Sequence, residues 1–257
     1  MIRPAALAIA SLVTIATITA LPLRFITSLS YDDWGLVYPG DAVASGLQFG
    51  EVAIVKVSDS LSLLGNASLD GKTSLAPAFG GGAGFALVLA PGWYIDSIYS
   101  AKYYLAAGSL TNDVQASLNY ENAFLYAGLR ERLVMDKNSL TIFNSLFAKY
   151  ALLAKASLWI SYTLLYENGI GLDQALWTYL EVNPAPLFGF TLGLAASSFH
   201  FANPISTRLQ GLGASAILGL AFHPLETLTL KAQFEHFAGD RDWNRNSLGF
   251  VADLSLP

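Results

Sequence analysis

The sequence has no cysteine and little charge, and these absences exclude several classes of protein. With no cysteine among its 257 residues, the chain can form neither a disulfide nor a thiolate metal site. Only 13% of the residues are charged and the net charge is −5, so nothing indicates a nucleic-acid partner. The glycine-rich stretch Gly80 to Gly84 is followed by no lysine and no helical pattern, as a phosphate-binding loop would require. We therefore expect no cofactor, no metal and no nucleic acid.

Hydrophobic residues make up 53% of the chain, and the mean hydropathy of +0.45 favours a membrane environment. Two stretches without any charged residue, Thr73 to Ile95 and Val182 to Thr207, are long enough to span a bilayer. The first contains Gly80 to Gly84 and the second contains three prolines, and both residue types weaken or break helix interiors. Transmembrane helices are therefore a poor interpretation of both stretches.

The N-terminus has the layout of a secretory signal peptide. A short positive start, Met1 to Arg3, precedes an apolar run from Ala5 to Ala20. Cleavage after Ala20 is one possibility, and cleavage after Ser30 fits the preference for small residues better. We predict a signal peptide over residues 1–30; an uncleaved anchor helix is the alternative.

Strict alternation of apolar and polar residues predicts long β-strands in the rest of the chain. Between Thr227 and Phe237 every second residue is apolar, and the same pattern runs without a break from Lys155 to Glu167. Strands of about 9 to 11 residues with one apolar face are typical of a transmembrane barrel, whereas sandwich strands are usually about five or six residues long. We predict an all-β, antiparallel transmembrane barrel, with a soluble exported barrel or sandwich as the alternative.

With its leader, its alternating strands and a final amphipathic strand over Leu248 to Leu256, the chain resembles bacterial outer-membrane β-barrel proteins. The resemblance implies a location in the bacterial outer membrane, contact with its lipids and insertion by the barrel assembly machinery. Members usually end in an aromatic residue, whereas this chain ends in Pro257. We expect a periplasmic lead-in over residues 31–45 and a barrel over residues 46–257 with about twelve strands, or ten as the alternative, because bacterial single-chain barrels have even numbers.

The predicted connections alternate in length. Short turns are expected at Ala90 to Gly92, Asn183 to Pro186 and His223 to Glu226, and longer external links at Gly108 to Asp113 and Ala238 to Arg245. We interpret the charges of the last link as those of a solvated loop. An aromatic girdle at the membrane boundary is expected from Trp243, Phe234, Phe237 and Phe250.

Charges of both signs fall on the polar face of the predicted strands and so are expected to line the lumen. We predict a narrow pore for passive passage of small polar solutes, with a closed structural barrel as the alternative. The predicted lumen-lining residues are Asp96, Lys102, Glu121, Arg130, Arg132, Lys155, Lys231, Glu235 and Asp253.

Catalysis at the rim of the barrel is a further alternative, which we do not favour. His200 lies close to the hydroxyl of Ser198, and Asp240 and Asp242 lie close to His236, so that each group could in principle activate a nucleophile or a water molecule. No histidine has serine two residues later, the spacing found in barrel lipid hydrolases. No catalytic residue is therefore assigned.

Overall fold

A computed structural model shows the chain as a closed antiparallel β-barrel of fourteen strands. It describes residues 22–34, 46–72, 77–105, 108–137, 139–168, 171–198, 212–239 and 244–256. No helix that could cross a membrane is present in these ranges.

The strands are eleven to fifteen residues long. At about 3.3 Å per residue and with the tilt usual in barrels, that length spans a bilayer. In chain order they are β1 (Leu23–Trp34), β2 (Gly46–Lys56), β3 (Leu61–Lys72), β4 (Ala78–Ala90), β5 (Trp93–Tyr104), β6 (Ser109–Glu121), β7 (Leu125–Met135), β8 (Leu140–Leu153), β9 (Ala156–Glu167), β10 (Gly171–Ala185), β11 (Phe188–Ser198), β12 (Leu212–Leu225), β13 (Leu228–Gly239) and β14 (Asn244–Leu256).

Each strand pairs with its neighbours in sequence, and β1 closes the barrel against β14. The closing register runs without a break from Leu23 opposite Leu256 to Trp34 opposite Arg245. Closure leaves no strand edge with unpaired backbone groups, which hydrocarbon would not tolerate.

Alternation sends successive side chains to opposite sides of the barrel wall. In β13, Leu230 and Phe234 are exposed on one face, while Lys231, Gln233 and Glu235 occupy the other. Large apolar side chains exposed on the first face recur around the barrel and form an outward apolar belt. The predicted all-β barrel is thus confirmed.

The predicted number of strands was wrong, since the barrel has fourteen rather than twelve or ten. Thirteen strands begin at or after Gly46, and the fourteenth is β1, from the segment assigned to the leader and lead-in. An even number is therefore reached by adding β1 rather than by merging two strands. The start of β1 is difficult to recognise in the sequence because an apolar run precedes it.

The position of β1 also changes the boundaries predicted for the signal peptide, the lead-in and the barrel. Residues 23–34 belong to the barrel, although residues 1–30 were expected in the signal peptide and residues 31–45 in a lead-in. A cut after Ser30 would remove most of β1, whereas a cut after Ala20 leaves it whole. Residues 1–21 and 35–45 lie outside the described residues, so a leader that ends before β1 stays a prediction.

The start of β1 and the end of β14 lie at the same end of the barrel, together with six connections of two to four residues. One of these turns contains Gly92, whose φ of 78° favours glycine. The seven connections at the other end run from three to thirteen residues. Part of the link expected at Gly108 to Asp113 belongs to β6, which begins at Ser109, so Asp113 is a strand residue.

The expected aromatic girdle is corrected in part. Phe234 and Phe250 do face outward, but both lie near the middle of their strands rather than at the membrane boundary. Phe237 lies on the inner register and is 1% exposed. Trp243 lies outside the described residues.

Candidate functional site: the inner wall

The inner face of the barrel is identified by contacts between strands that are not neighbours. Asn66 of β3 donates a hydrogen bond from Nδ2 to Oγ of Ser100 in β5 at 2.8 Å, across the intervening strand β4. The bond is possible because Gly82 of β4 lies beneath it: a Cβ at Gly82 would come within 2.8 Å of both side-chain oxygens, Asn66 Oδ1 and Ser100 Oγ. Gly80 and Gly84 share this face, so β4 presents no inward side chain from Gly80 to Gly84, as its sequence predicted.

The structure places eight of the nine predicted lumen residues on the inner register of a strand. These are Asp96, Lys102, Glu121, Arg130, Arg132, Lys231, Glu235 and Asp253. Glu121 is the last residue of β6 and is exposed at the rim. Lys155 lies in the turn between β8 and β9, where its Nζ donates to the carbonyl oxygen of Pro184 at 2.9 Å.

Among the residues that the structure describes, five ion pairs on the inner face join strands that are one or two positions apart. Arg132 binds Asp113 through both carboxylate oxygens at 2.6 to 3.0 Å, a strong two-point geometry. The Arg132 side chain nevertheless remains 42% exposed, although it lies near the middle of β7. The other four pairs are Arg24–Asp253, Lys102–Asp70, Lys149–Glu181 and Arg245–Glu235.

A hydrogen-bonded network holds Asp96 against the wall. Oγ of Ser117 donates to one carboxylate oxygen at 3.1 Å, and Nδ2 of Asn119 donates to the other at 2.7 Å. Asn119 is fully buried and accepts a hydrogen bond from the Tyr126 hydroxyl at 3.4 Å. Buried polar groups are stable only when paired in this way, so the network fixes these side chains.

Aromatic side chains cover the inner wall across β7, β8 and β9. The rings of Phe147 and Trp159 stack with centroids 5.6 Å apart and planes within 4°, and Tyr126 packs against both. The Arg130 guanidinium lies over the Phe147 ring at 5.3 Å, within cation–π range. Arginine and aromatic groups are thereby immobilised against one side of the lumen.

Sequence reasoning missed the partners in these ion pairs. Asp113 was assigned to a loop, although it continues the alternation of Gln115, Ser117 and Asn119 in β6 and could have been found by extending that strand. Arg24 was assigned to the leader. Asp70, Lys149, Glu181 and Arg245 also belong to inward registers.

The alternative catalytic groups are only partly within the described residues. Oγ of Ser198 accepts a hydrogen bond from the backbone N–H of Gln174 at 3.3 Å. His236 faces outward and its Nδ1 lies 2.9 Å from Oδ1 of Asn246, which agrees with its expected position on the apolar register. His200, Asp240 and Asp242 lie outside the described residues. Within the described ranges no group of three or more acidic or histidine side chains is placed to bind a metal.

No protein-family model and no curated protein matches the sequence. Among solved structures, the chain is similar to a bacterial polysaccharide outer membrane secretin, with a TM-score of 0.57, 10% identity, and coverage of 92% of this chain and 98% of that one. A FadL homologue of Pseudomonas aeruginosa gives 0.55 and 10% identity, with coverage of 94% and 90%. A loop-deletion mutant of OmpT, an outer membrane protein of Vibrio cholerae, gives 0.50 and 13% identity, with coverage of 93% and 100%.

These likenesses concern the fold. They confirm the resemblance to bacterial outer-membrane β-barrel proteins, and the apolar belt around the barrel is that of a protein in this membrane.

Proposed function

We propose that the barrel forms a narrow pore for the passive passage of small polar solutes. The observation that carries this proposal is that the inner charges pair along the wall while inward side chains near the middle of β13 remain exposed. Lys231 and Gln233 are the exposed residues. Pairs that joined opposite walls would close the lumen, whereas the five pairs described above join strands no more than two apart.

The strand number also supports an open interior. Barrels of eight strands are just filled by their own side chains, and barrels of sixteen to eighteen leave an aqueous channel. Fourteen strands lie between these limits, and inward glycines on β4 and alanine and glycine on β11 and β12 add further room. Because both signs of charge line the wall, the pore suits small polar solutes rather than ions of one sign.

A closed structural barrel is the second candidate. It is favoured by the burial of Phe237, Ile217 and Asn119, which are the largest fully buried side chains and all lie on inner registers. A packed interior would bury such side chains, but an open lumen with a crowded wall would also do so. Measurement of conductance separates the two.

The test is single-channel conductance of the refolded barrel in a planar lipid bilayer. We expect discrete steps whose ion selectivity shifts toward cations in Arg130→Glu with Arg132→Glu, because two inward positive charges become negative. Lys137→Glu, in the connection between β7 and β8, is the control and should leave selectivity nearly unchanged. A folded, heat-modifiable barrel without conductance would refute the pore and favour the closed barrel.

The protein used should begin at Leu21, because we propose that the leader is cut before β1, after Ala20. The mass of the exported protein locates this cut. We also propose that the outward apolar side chains contact outer-membrane lipids and that β14 is the strand read by the barrel assembly machinery. Its alternation of Leu248, Phe250, Ala252 and Leu254 on the outer face supports this role despite the terminal proline.

A further inference from the structure

The lipid-facing side of the barrel contains carboxylates where hydrocarbon offers them no partner. Glu51 of β2 lies on the outer register, directly opposite Thr27 and Ala67. Glu131 of β7 lies there too, between Leu129 and Leu133, which are 43% and 37% exposed. A charged side chain that faces lipid near the middle of a strand is unfavourable, so each of these positions needs an explanation.

Glu131 has a polar neighbour on the same face. It is directly opposite Asn144 of β8, and opposed side chains in neighbouring strands lie about 5 Å apart. Within the described part of the chain, neither side chain makes a hydrogen bond or an ion pair. The carboxylate therefore lacks a donor, and the amide lacks an acceptor, at a depth where lipid tails supply neither.

A groove on the outer wall lies next to this pair. It has a volume of about 630 Å³, and its floor is formed by Ala127 and Ala148, which are directly opposed in β7 and β8. Leu118, Leu129 and Leu146 form its sides. Small floor residues between larger apolar ones make a surface that can receive the side chains of a second protein.

We propose that this wall, formed by Glu131, Asn144 and the Ala127–Ala148 groove, is the interface between two copies of this chain. A twofold axis parallel to the barrel axis, passing beside the pair, would bring β7 of one copy against β8 of the other. Glu131 would then accept a hydrogen bond from the amide of Asn144 in the second copy, and the reciprocal bond would form by symmetry.

A second copy explains the pair better than lipid does. An acyl chain can fill the groove, but it has no hydrogen-bond donor for the carboxylate. A second copy supplies the amide at the same depth and apolar side chains for the groove. Glu51 offers no comparable arrangement, because it is less exposed than Glu131 and no amide is opposite it.

Cysteine cross-linking tests the interface, and the absence of native cysteine makes each introduced thiol unique. Full-length chains with Glu131→Cys and Asn144→Cys, one of them tagged, would be expressed together and oxidised in outer-membrane fragments. We expect a disulfide-linked species of twice the monomer mass that contains both chains. Leu218→Cys, which is also outward and exposed near the middle of its strand, is the matched control and should remain monomeric.

Heat-modifiable migration of each variant on a gel checks that the barrel has folded. The mass of the unsubstituted protein in lipid nanodiscs gives its oligomeric state without any substitution. A dimer in nanodiscs together with the specific cross-link supports the interface. A monomeric mass, equal cross-linking of the Leu218→Cys control, or cross-linking of Glu51→Cys in place of the pair overturns it.

Discussion

The two halves of the inner wall differ in what they present to the lumen. From β7 to β10 the wall is crowded with tyrosine, phenylalanine, tryptophan and arginine, and Phe147 with Trp159 forms its centre. On β4, β11 and β12 the inward positions are mostly glycine, alanine, serine and threonine. Bulky inward side chains are therefore concentrated on one side of the barrel.

This difference teaches that one barrel wall can serve two purposes. In the crowded half, stacked rings and hydrogen-bonded networks immobilise side chains and stabilise the fold. In the sparse half, small side chains leave space inside the wall. Substitutions that remove bulk from the first half or add it to the second should therefore act in different ways.

The largest expected effect comes from removing the ring at the centre of the crowded half. Phe147→Ala deletes a buried side chain that contacts Trp159, Tyr126 and Arg130. We expect a loss of about 3–5 kcal/mol in the free energy of unfolding, measured by denaturant titration in lipid vesicles. Gln233→Ala, at an exposed inward position of β13, should change it by less than about 0.5 kcal/mol. Equal effects would show that the two halves do not differ in packing.

A smaller effect is expected where bulk is added at the boundary between the halves. A Cβ at Gly193 would lie 2.6 Å from Cδ1 of Tyr179 and 3.1 Å from Cβ of Ile217. Gly193→Ala should therefore cost about 1–3 kcal/mol, because a ring in a packed wall must shift. Gly65→Ala is the matched control, since no atom lies within 4 Å of its Cβ; it should be neutral or stabilising by about 0.5–1 kcal/mol. Destabilisation by both substitutions would point to a backbone effect instead.

The smallest effect is expected at the seam between the first and last strands. Arg24 donates two hydrogen bonds to Asp253 at 2.8 and 2.6 Å, but the two side chains are 49% and 21% exposed. Solvent screening limits their coupling energy to about 0.5–1 kcal/mol in a double-mutant cycle of thermal unfolding. The pair Lys56–Asp59 at the turn after β2, in which Asp59 is fully exposed, should show no measurable coupling. If the Arg24–Asp253 coupling energy is no larger than that of Lys56–Asp59, backbone hydrogen bonds alone close the barrel.

Much of this barrel could be predicted from local pattern. Alternation in β9 and β13 identified both the strands and their polar faces, because side chains on a strand point alternately to its two sides. The same rule placed Arg130, Arg132 and Lys231 correctly on inner registers. It failed for β1, which follows the apolar run Ala5 to Ala20 in the sequence, and for Asp113, which lies close to Gly108 in a stretch that resembles a turn.

The sequence by itself determined that this chain is a membrane-spanning barrel, since strand length and a period of two are properties of each segment alone. Only the tertiary structure decided that the strands number fourteen, because closure requires the first strand to meet the last across more than two hundred residues. It also decided which charges pair and how the bulky residues divide between the two halves. Those contacts depend on register and curvature, which bring together residues from separate strands and which no single segment specifies.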